Sequence, residues 1–307
     1  MAEQTPTQDV DLAELFRTFW RAKLFIIGFT ALFAVGSVFY ALSLSDVYRS
    51  DALLAPANTQ QKPGMGALGQ LGGLASLAGV NLGGQGTDKT ALALEVLRSR
   101  DFIGRLIEQH DLFVPVMAAK DWRVTSNELV LDESIYDAST DTWLRDAKPP
   151  RQSKPSVQET YEEFIKLLQV RQSKDNGMVT VSIEHYSPHI AQQWVQLLIT
   201  ELNAFMKQRD MEEARRSMTY LEQQLQKTQV EEIRRALFQL IEEQTKTLML
   251  TQVSDEYVFK IIDPPIASEK KAKPSRALIC IIGTLFGGFL ACLVVLIRFL
   301  VRPTVKA

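Results

Sequence analysis

Cysteine is nearly absent from this 307-residue sequence, and both of its cysteines lie near the C-terminus. Cys280 and Cys292 are twelve positions apart. In a helix this spacing separates them by about 18 Å, which is too far for a disulfide between them. The remainder of the chain has no thiol, so cysteine usage predicts neither a disulfide scaffold nor a zinc site.

Motifs of catalysis are also missing. The sequence has no Gly-x-Ser-x-Gly element and no phosphate-binding Gly-x-x-x-x-Gly-Lys-Ser/Thr loop. Of its three histidines, His185 and His189 have the i, i+4 spacing of a helical metal pair. Ser187-Pro188 between them is typical of a helix start, so the two rings need not share a face. We therefore predict a protein that is not an enzyme, with no catalytic residue, cofactor or metal.

An excess of positive charge is lacking as well. The formal net charge is -2 and the isoelectric point is near 6.0. This balance gives no support for binding to nucleic acid.

Two long uncharged runs are present instead. Leu24 to Leu44 and Ala277 to Ile297 each hold 21 residues without a charge, which is enough to cross a bilayer core of about 30 Å. The first is interpreted as an uncleaved anchor, because a signal peptide has a shorter apolar region. The predicted organisation is an N-terminal segment 1–23, a span 24–44, a domain 45–276, a second span 277–301 and a tail 302–307.

Basic residues around the spans predict their orientation. Arg17, Arg21 and Lys23 precede the first span, and Arg298 ends the second. Cytoplasmic flanks are enriched in such residues, so we expect both termini in the cytoplasm and the large domain across the membrane. Lysines between 270 and 273 count against this orientation, but the rule weakens for long translocated domains.

A long stretch without glycine or proline, 189–263, dominates the central domain. Its apolar residues recur at helical spacings, Ser187 suits the N-cap and Pro188 suits the first turn. One straight helix over 189–250 would be roughly 90 Å long. We predict instead a helical hairpin over 188–250, because the chain must return to the second span. A continuous helix is the alternative.

The hairpin turn is predicted from a capping box. Thr228 and Glu231 have the required spacing, so a second helix is expected to begin after Thr228. Leu221 and Leu225 of the rising arm then lie near Leu237 of the descending arm. These five residues are the predicted tip and assembly element.

The remaining pattern predicts an α+β domain. Strands are expected over 48–54, 178–185 and 257–262, with Asn176-Gly177 as a hairpin signal. Helices are expected from 87 or 88 to about 110 and after the capping box Ser156 to Glu159. The fold class is therefore an α+β domain with a long helical hairpin, anchored by two transmembrane helices.

A glycine-rich segment over 62–86 interrupts this pattern. It holds nine of the sixteen glycines, interleaved with leucine. It is interpreted either as a flexible loop or as an apolar loop resting on the membrane or a neighbouring subunit. In the second span, Gly283 and Gly287 have the spacing that lets two membrane helices approach closely.

Several local sequences occur in an order that resembles the Wzz-type chain-length determinants, also called polysaccharide co-polymerases. They are Leu97-Arg98-Ser99-Arg100, Tyr186-Ser187-Pro188 before the long helix, and Ile262-Asp263-Pro264-Pro265 leading through Pro274-Ser275-Arg276 into the second span. The proline-containing segment has fewer and less regularly spaced prolines than the family pattern. Its marked residues here are Asp263, Pro264, Pro265 and Pro274.

The resemblance implies a function without catalysis. Such proteins form homo-oligomeric rings in the bacterial inner membrane, with a periplasmic body. They set the length of lipid-linked polysaccharide made by a separate Wzy-type polymerase. The expected function is control of surface-polysaccharide chain length, with lipopolysaccharide O-antigen as the expected polymer.

Two other functions are kept as alternatives. One is a capsule or exopolysaccharide export subunit that works with a tyrosine kinase on another chain. The other is a two-span sensor whose periplasmic domain binds a ligand. A sensor needs an output domain, which the six residues after Val301 are not expected to provide.

Overall fold

The computed structural model describes residues 20–57, 85–253 and 256–301. The chain divides into two compact units, one formed by 1–46 with 272–307 and the other by 47–271. In chain order the helices and strands are α1 Lys23–Ser43, β1 Val47–Pro56, α2 Gln85–Arg98, α3 Arg100–Gln109, α4 Phe113–Met117, β2 Ala119–Arg123, β3 Glu128–Leu131, β4 Tyr136–Asp137, β5 Thr142–Trp143, α5 Val157–Leu167, β6 Leu168–Gln172, β7 Val179–His185, α6 Pro188–Lys227, α7 Glu231–Val253, β8 Phe259–Asp263, β9 Lys271–Lys273 and α8 Arg276–Val301.

The smaller unit contains α1 and α8. Both helices are long and apolar enough to cross a membrane. Most of their large apolar side chains are exposed, as expected for surfaces that face lipid rather than water. The N-terminal segment before residue 20 and the tail 302–307 lie outside the described residues.

The larger unit is built on an antiparallel sheet with the strand order β6-β7-β1-β8. Val181 of β7 pairs with Val170 of β6 on one side and Ala52 of β1 on the other. The predicted hairpin between β6 and β7 is confirmed, and Gly177 adopts a φ of +68° that favours glycine. Its loop exceeds two residues, because the Ser173 N–H bonds the Met178 carbonyl.

One hydrophobic core joins this sheet to α2, α3, α5 and the first half of α6. Alternate residues of the strands and one face of each helix are buried in it. Burial of such side chains stabilises the fold by about 1.5–3 kcal/mol each. The largest fully buried side chains are Phe164, Phe259, Leu54, Leu97, Ile103, Leu106, Ile107, Ile183, Leu198, Leu202, Met206 and Val179.

The first half of α6 lies in the core, and the second half leaves it. The predicted N-cap is confirmed, because Ser187 Oγ accepts the Ile190 N–H at 3.4 Å and Pro188 occupies the first turn. After Met206 the only buried position on α6 is Ala214. Beyond the core, α7 packs along this half of the helix.

A helical hairpin is present, and a continuous helix is not. The α6 helix ends at Lys227 and α7 begins at Glu231. The Lys207 ammonium donates to the Gln252 carbonyl at 3.4 Å, which shows that α7 returns along α6.

The capping box predicted at the tip was wrong. Thr228 is the C-cap of α6 in extended backbone, and the Arg234 N–H bonds the Val230 carbonyl, so Val230 holds the N-cap position of α7. A cap at Thr228 would make Gln229 the first helical residue, but α7 begins at Glu231, so Glu231 lies at the first helical position and not at the third.

Two further expectations need correction. The helix predicted up to His110 is broken at Ser99, whose backbone is extended and whose hydroxyl accepts the Phe102 N–H at 3.2 Å to cap α3. Residues 62–84 of the glycine-rich segment lie outside the described residues, and α2 already begins at Gln85. By contrast, the capping box of Ser156 and Glu159 is confirmed at the start of α5.

Candidate functional site

The two histidines with the spacing of a helical metal pair, His185 and His189, do not form a metal site. His185 is buried, its Nε2 lies 3.0 Å from the Pro115 carbonyl and its Nδ1 accepts the Ser187 N–H at 3.1 Å. His189 is exposed, and its ring lies 6.0 Å from that of Trp122. Within the described residues, no group of three or more His, Cys, Asp or Glu could hold a metal ion.

The two apolar helices α1 and α8 approach each other closely at the predicted glycines. A Cβ added to Gly283 would lie 2.5 Å from Ser37 Cβ, and one added to Gly287 would lie 2.5 Å from Phe33 Cβ. Real Cβ atoms do not come so near, so only glycine lets α8 pack on α1 at this distance. This is a contact within one chain, and the sequence alone did not identify the partner helix.

An ion pair joins the C-terminal end of α1 to the start of α8. The Arg276 guanidinium donates to Asp46 Oδ1 at 2.8 Å. Asp46 follows α1 and Arg276 begins α8, immediately after Pro274 and Ser275. The pair therefore fixes where the chain leaves one helix and enters the other.

The segment after β8 lies against the start of α6. Asp263 pairs with Leu53 in the sheet, and Pro265 is buried whereas Pro264 is exposed. Gln192 Nε2 donates to the Pro265 carbonyl at 3.0 Å, and Ser50 Oγ donates to the Ile266 carbonyl at 2.8 Å. Without ladder bonds of its own, this part of the proline-containing segment is held by side chains from α6 and β1.

A charged cluster connects three elements at the base of the hairpin. Asp210 of α6 accepts from the Lys89 ammonium at 2.8 Å and from the Tyr257 hydroxyl at 2.6 Å. Desolvation alone would lower the pKa of Lys89, but the hydrogen bond and charge of Asp210 outweigh it and raise that pKa. Burial, and then the bond to Asp210, raises the pKa of Tyr257. Both donors therefore keep their protons at neutral pH.

A buried amide, Asn203, supports the same region about two turns closer to the core. Asn203 Oδ1 accepts the N–H groups of Val258 and Phe259 at 2.9 and 3.0 Å, and its Nδ2 donates to the Phe259 carbonyl at 3.0 Å. This side chain replaces the partners that the first residues of β8 lack. Sequence reasoning missed both Asn203 and Asp210, since a lone Asn or Asp in a polar helix carries no local signal.

The predicted tip residues have unequal environments. Leu221, Leu225, Thr228 and Leu237 are half-buried, and Glu231 is exposed with its carboxylate 3.4 Å from Arg235. The apolar surface of the hairpin is not fully covered within one chain. Its large exposed side chains are Tyr220, Val230, Ile233, Phe238, Leu240 and Met249.

Comparison with known proteins finds a match to one family in the N-terminal third of the chain. Residues 8–110 match the model of the family "Wzz: Chain length determinant protein". A solved structure described as "full-length bacterial polysaccharide co-polymerase" is similar over 96% of this chain and 100% of that chain, at 14% sequence identity and a TM-score of 0.41. No curated protein sequence matches this chain.

The family match confirms the resemblance that the sequence motifs predicted. It covers about a third of the chain and includes α1, β1, α2 and α3. It therefore contains the first apolar helix, α1, and the Leu97-Arg98-Ser99-Arg100 sequence. There Leu97 is buried in the core, Arg98 donates to the Val170 carbonyl at 2.7 Å and Ser99 caps α3.

Proposed function

We propose that this protein is a non-enzymatic regulator of surface-polysaccharide chain length, and that its polymer is lipopolysaccharide O-antigen. The family match over 8–110 carries this proposal. A domain flanked in sequence by two apolar helices supports it, because a regulator of lipid-linked polymer must act at the membrane surface.

The proposal includes a topology. Both termini lie in the cytoplasm and the domain 45–276 lies in the periplasm, between spans 24–44 and 277–301. Arg21 and Lys23 before the first span, and Arg298 at the end of the second, support this orientation.

The proposal also includes partners. The chain forms a homo-oligomeric ring in the inner membrane and acts with a Wzy-type polymerase on lipid-linked polysaccharide. The exposed apolar side chains on α7 support self-association, because head-to-tail contacts of one surface with another close into rings. Glycosidic bond formation belongs to the polymerase in this scheme.

Deletion of the gene tests the function. We expect the deletion strain to make polymer that has lost its preferred length, which a gel of its lipopolysaccharide will show as a changed ladder. Expression of the intact chain from a plasmid should restore the ladder. Complete loss of polymer would contradict the proposal and favour a synthetic or export role, such as a capsule export subunit paired with a kinase.

A further inference from the structure

A groove without ionisable side chains lies along the start of α6. It is lined by Gln192, Gln193, Gln196, Leu197, Thr200 and Pro265, and has a volume of about 460 Å³. Two other concave surfaces of the same domain are lined by charged side chains, among them Arg151 and Glu162 in one and Arg123 and Glu133 in the other. Exposed helix surfaces normally carry charge, so this uncharged surface requires an explanation.

The groups in the groove are arranged to bond a polar ligand. Gln196 Nε2 donates to Thr200 Oγ1 at 3.4 Å, which orients both side chains along the helix. Gln192 is fixed by its bond to the Pro265 carbonyl at 3.0 Å. The exposed amide of Gln193 makes no hydrogen bond to any described residue. Each amide has a donor and an acceptor end, and the hydroxyl can act as either.

An aromatic surface continues the groove at its N-terminal end. His189 precedes Gln193 by one helical turn, so both lie on the same exposed face. The His189 ring is 6.0 Å from Trp122, and the Trp122 ring is 5.5 Å from Tyr48. From His189 to Thr200 the face is about 16 Å long at 1.5 Å per residue, which suits an extended ligand.

We propose that this groove binds uncharged sugar units of the polysaccharide, an inference that rests on the proposed function. Sugar hydroxyls both donate and accept, so they match glutamine amides and the threonine hydroxyl. The apolar surface of half-buried Leu197 can contact the C–H face of a sugar ring. The lining offers no opposite charge to a charged unit, so such a unit gains no ion pair here.

A second copy of the chain fits this groove less well. The cores of protein interfaces are enriched in aromatic side chains, methionine and arginine, and the groove lining has none of these. Such side chains are exposed elsewhere, on α7, where Phe238 and Met249 leave 52% and 63% of their surface open. The chain thus has a separate surface better suited to self-association.

Binding by the full-length protein in detergent micelles tests the assignment. The probe is the surface polysaccharide of the strain of origin, separated into uncharged and charged fractions and labelled at the reducing end. We expect the uncharged fraction to bind. The double variant Gln193→Ala, Gln196→Ala should weaken that binding about tenfold or more, because two hydrogen-bonding groups are lost. Gln223→Ala, at an exposed position of the same helix, should bind as the intact protein does.

Three results of the binding measurement would overturn the assignment. They are the absence of binding by the intact protein, equal binding by the double variant, and a preference for the charged fraction. Light scattering is measured in parallel, and an oligomer that becomes smaller in the double variant would assign the groove to a subunit contact instead. Failure of the proposed function is distinguishable, since it appears as an unchanged polysaccharide ladder in the deletion strain.

Discussion

At the scale of single residues, a few polar side chains connect the sheet to the base of the helical hairpin. Asp210 has 16% of its side chain exposed and receives two hydrogen bonds from residues far away in sequence. Charge-assisted bonds of this kind are about twice as strong as neutral ones. They connect α2, α6 and the residues before β8, so Asp210 determines how the hairpin base is fixed to the core.

Replacing Asp210 with Asn should destabilise the larger unit. The charge that holds Lys89 and Tyr257 is removed, at a cost of about 1–3 kcal/mol. The melting temperature of the purified protein should fall by about 2–8 °C in a thermal scan. Glu213→Gln, at an exposed site on the same helix, is the control and should leave it unchanged. An equal fall in melting temperature in both variants would show that the contacts of Asp210 with Lys89 and Tyr257 do not stabilise the unit.

His185 makes the stability of the same unit depend on pH. Burial lowers the pKa of His185 from its ordinary value of 6.5. The Nδ1 atom of His185 accepts the Ser187 N–H. Protonation of the ring would put a hydrogen on Nδ1, so that two N–H donors would face each other. The unfolded chain then binds a proton more readily than the folded one, so stability is complete above about pH 6.5 and falls as the pH drops below it.

His185→Gln should reduce this pH dependence. Melting temperatures at pH 5 and pH 8 should differ less in this variant than in the intact protein, even if both of its values are lower. His189→Gln, which changes an exposed ring, should keep the original difference. A pH dependence unaffected by His185→Gln would assign it to other groups.

At the scale of elements, the close contact between α1 and α8 requires residues without a side chain at positions 283 and 287, where both are glycine. Replacing Gly283 and Gly287 with Leu places side-chain atoms where Ser37 and Phe33 already lie. Leucine is the better helix former, so any loss must come from packing and not from helix propensity. We expect a changed oligomer size in detergent and a changed polysaccharide length.

Two glycines in α1 provide a matched control for this prediction. A Cβ added at Gly28 or Gly36 meets nothing within 4 Å. Leucine at both positions should therefore leave oligomer size and polymer length as they are. If the α8 variant also behaves normally, the close contact has no role in assembly.

The hairpin is the second element whose integrity can be tested. Proline at Leu221 removes a backbone hydrogen bond and clashes with the preceding turn of α6, at a cost of about 3 kcal/mol or more. We expect altered polysaccharide length with the protein still inserted in the membrane. Leu221→Ala keeps the helix and controls for the lost side chain. Normal length at normal protein level in the proline variant would show that the tip does not set length.

At the scale of the whole molecule, one chain leaves apolar surface uncovered on α7. Ile233, Phe238 and Leu240 expose 49%, 52% and 46% of their surface. Surfaces of this kind in soluble domains mark interaction sites. This agrees with the proposed ring, in which a neighbouring copy would cover them.

Serine at Phe238 and Leu240 should therefore weaken assembly. The fold of one chain should persist, because both side chains are about half exposed. Light scattering in detergent should show smaller oligomers than those of the intact protein. Gln239→Ser, between the two positions, should have no such effect. Unchanged oligomers in the double variant would place the subunit contact on another surface.

The sequence by itself determined the features that depend on neighbouring residues. Uncharged runs marked the two apolar helices α1 and α8, Ser187-Pro188 marked the start of α6, and Asn176-Gly177 marked the turn between β6 and β7. In each case hydropathy, a cap or a turn conformation acts within a few residues, so the pattern contains the physical cause.

Only the tertiary structure decided the features that join distant residues. The break at Ser99 follows from burying Leu97 and Phe102 in one core, and Thr228 became a C-cap because α7 must return along α6. Asp210 meets Lys89 across 121 positions, and Gln192 meets Pro265 across 73. Such contacts depend on how the chain packs in three dimensions, and no local spacing encodes them.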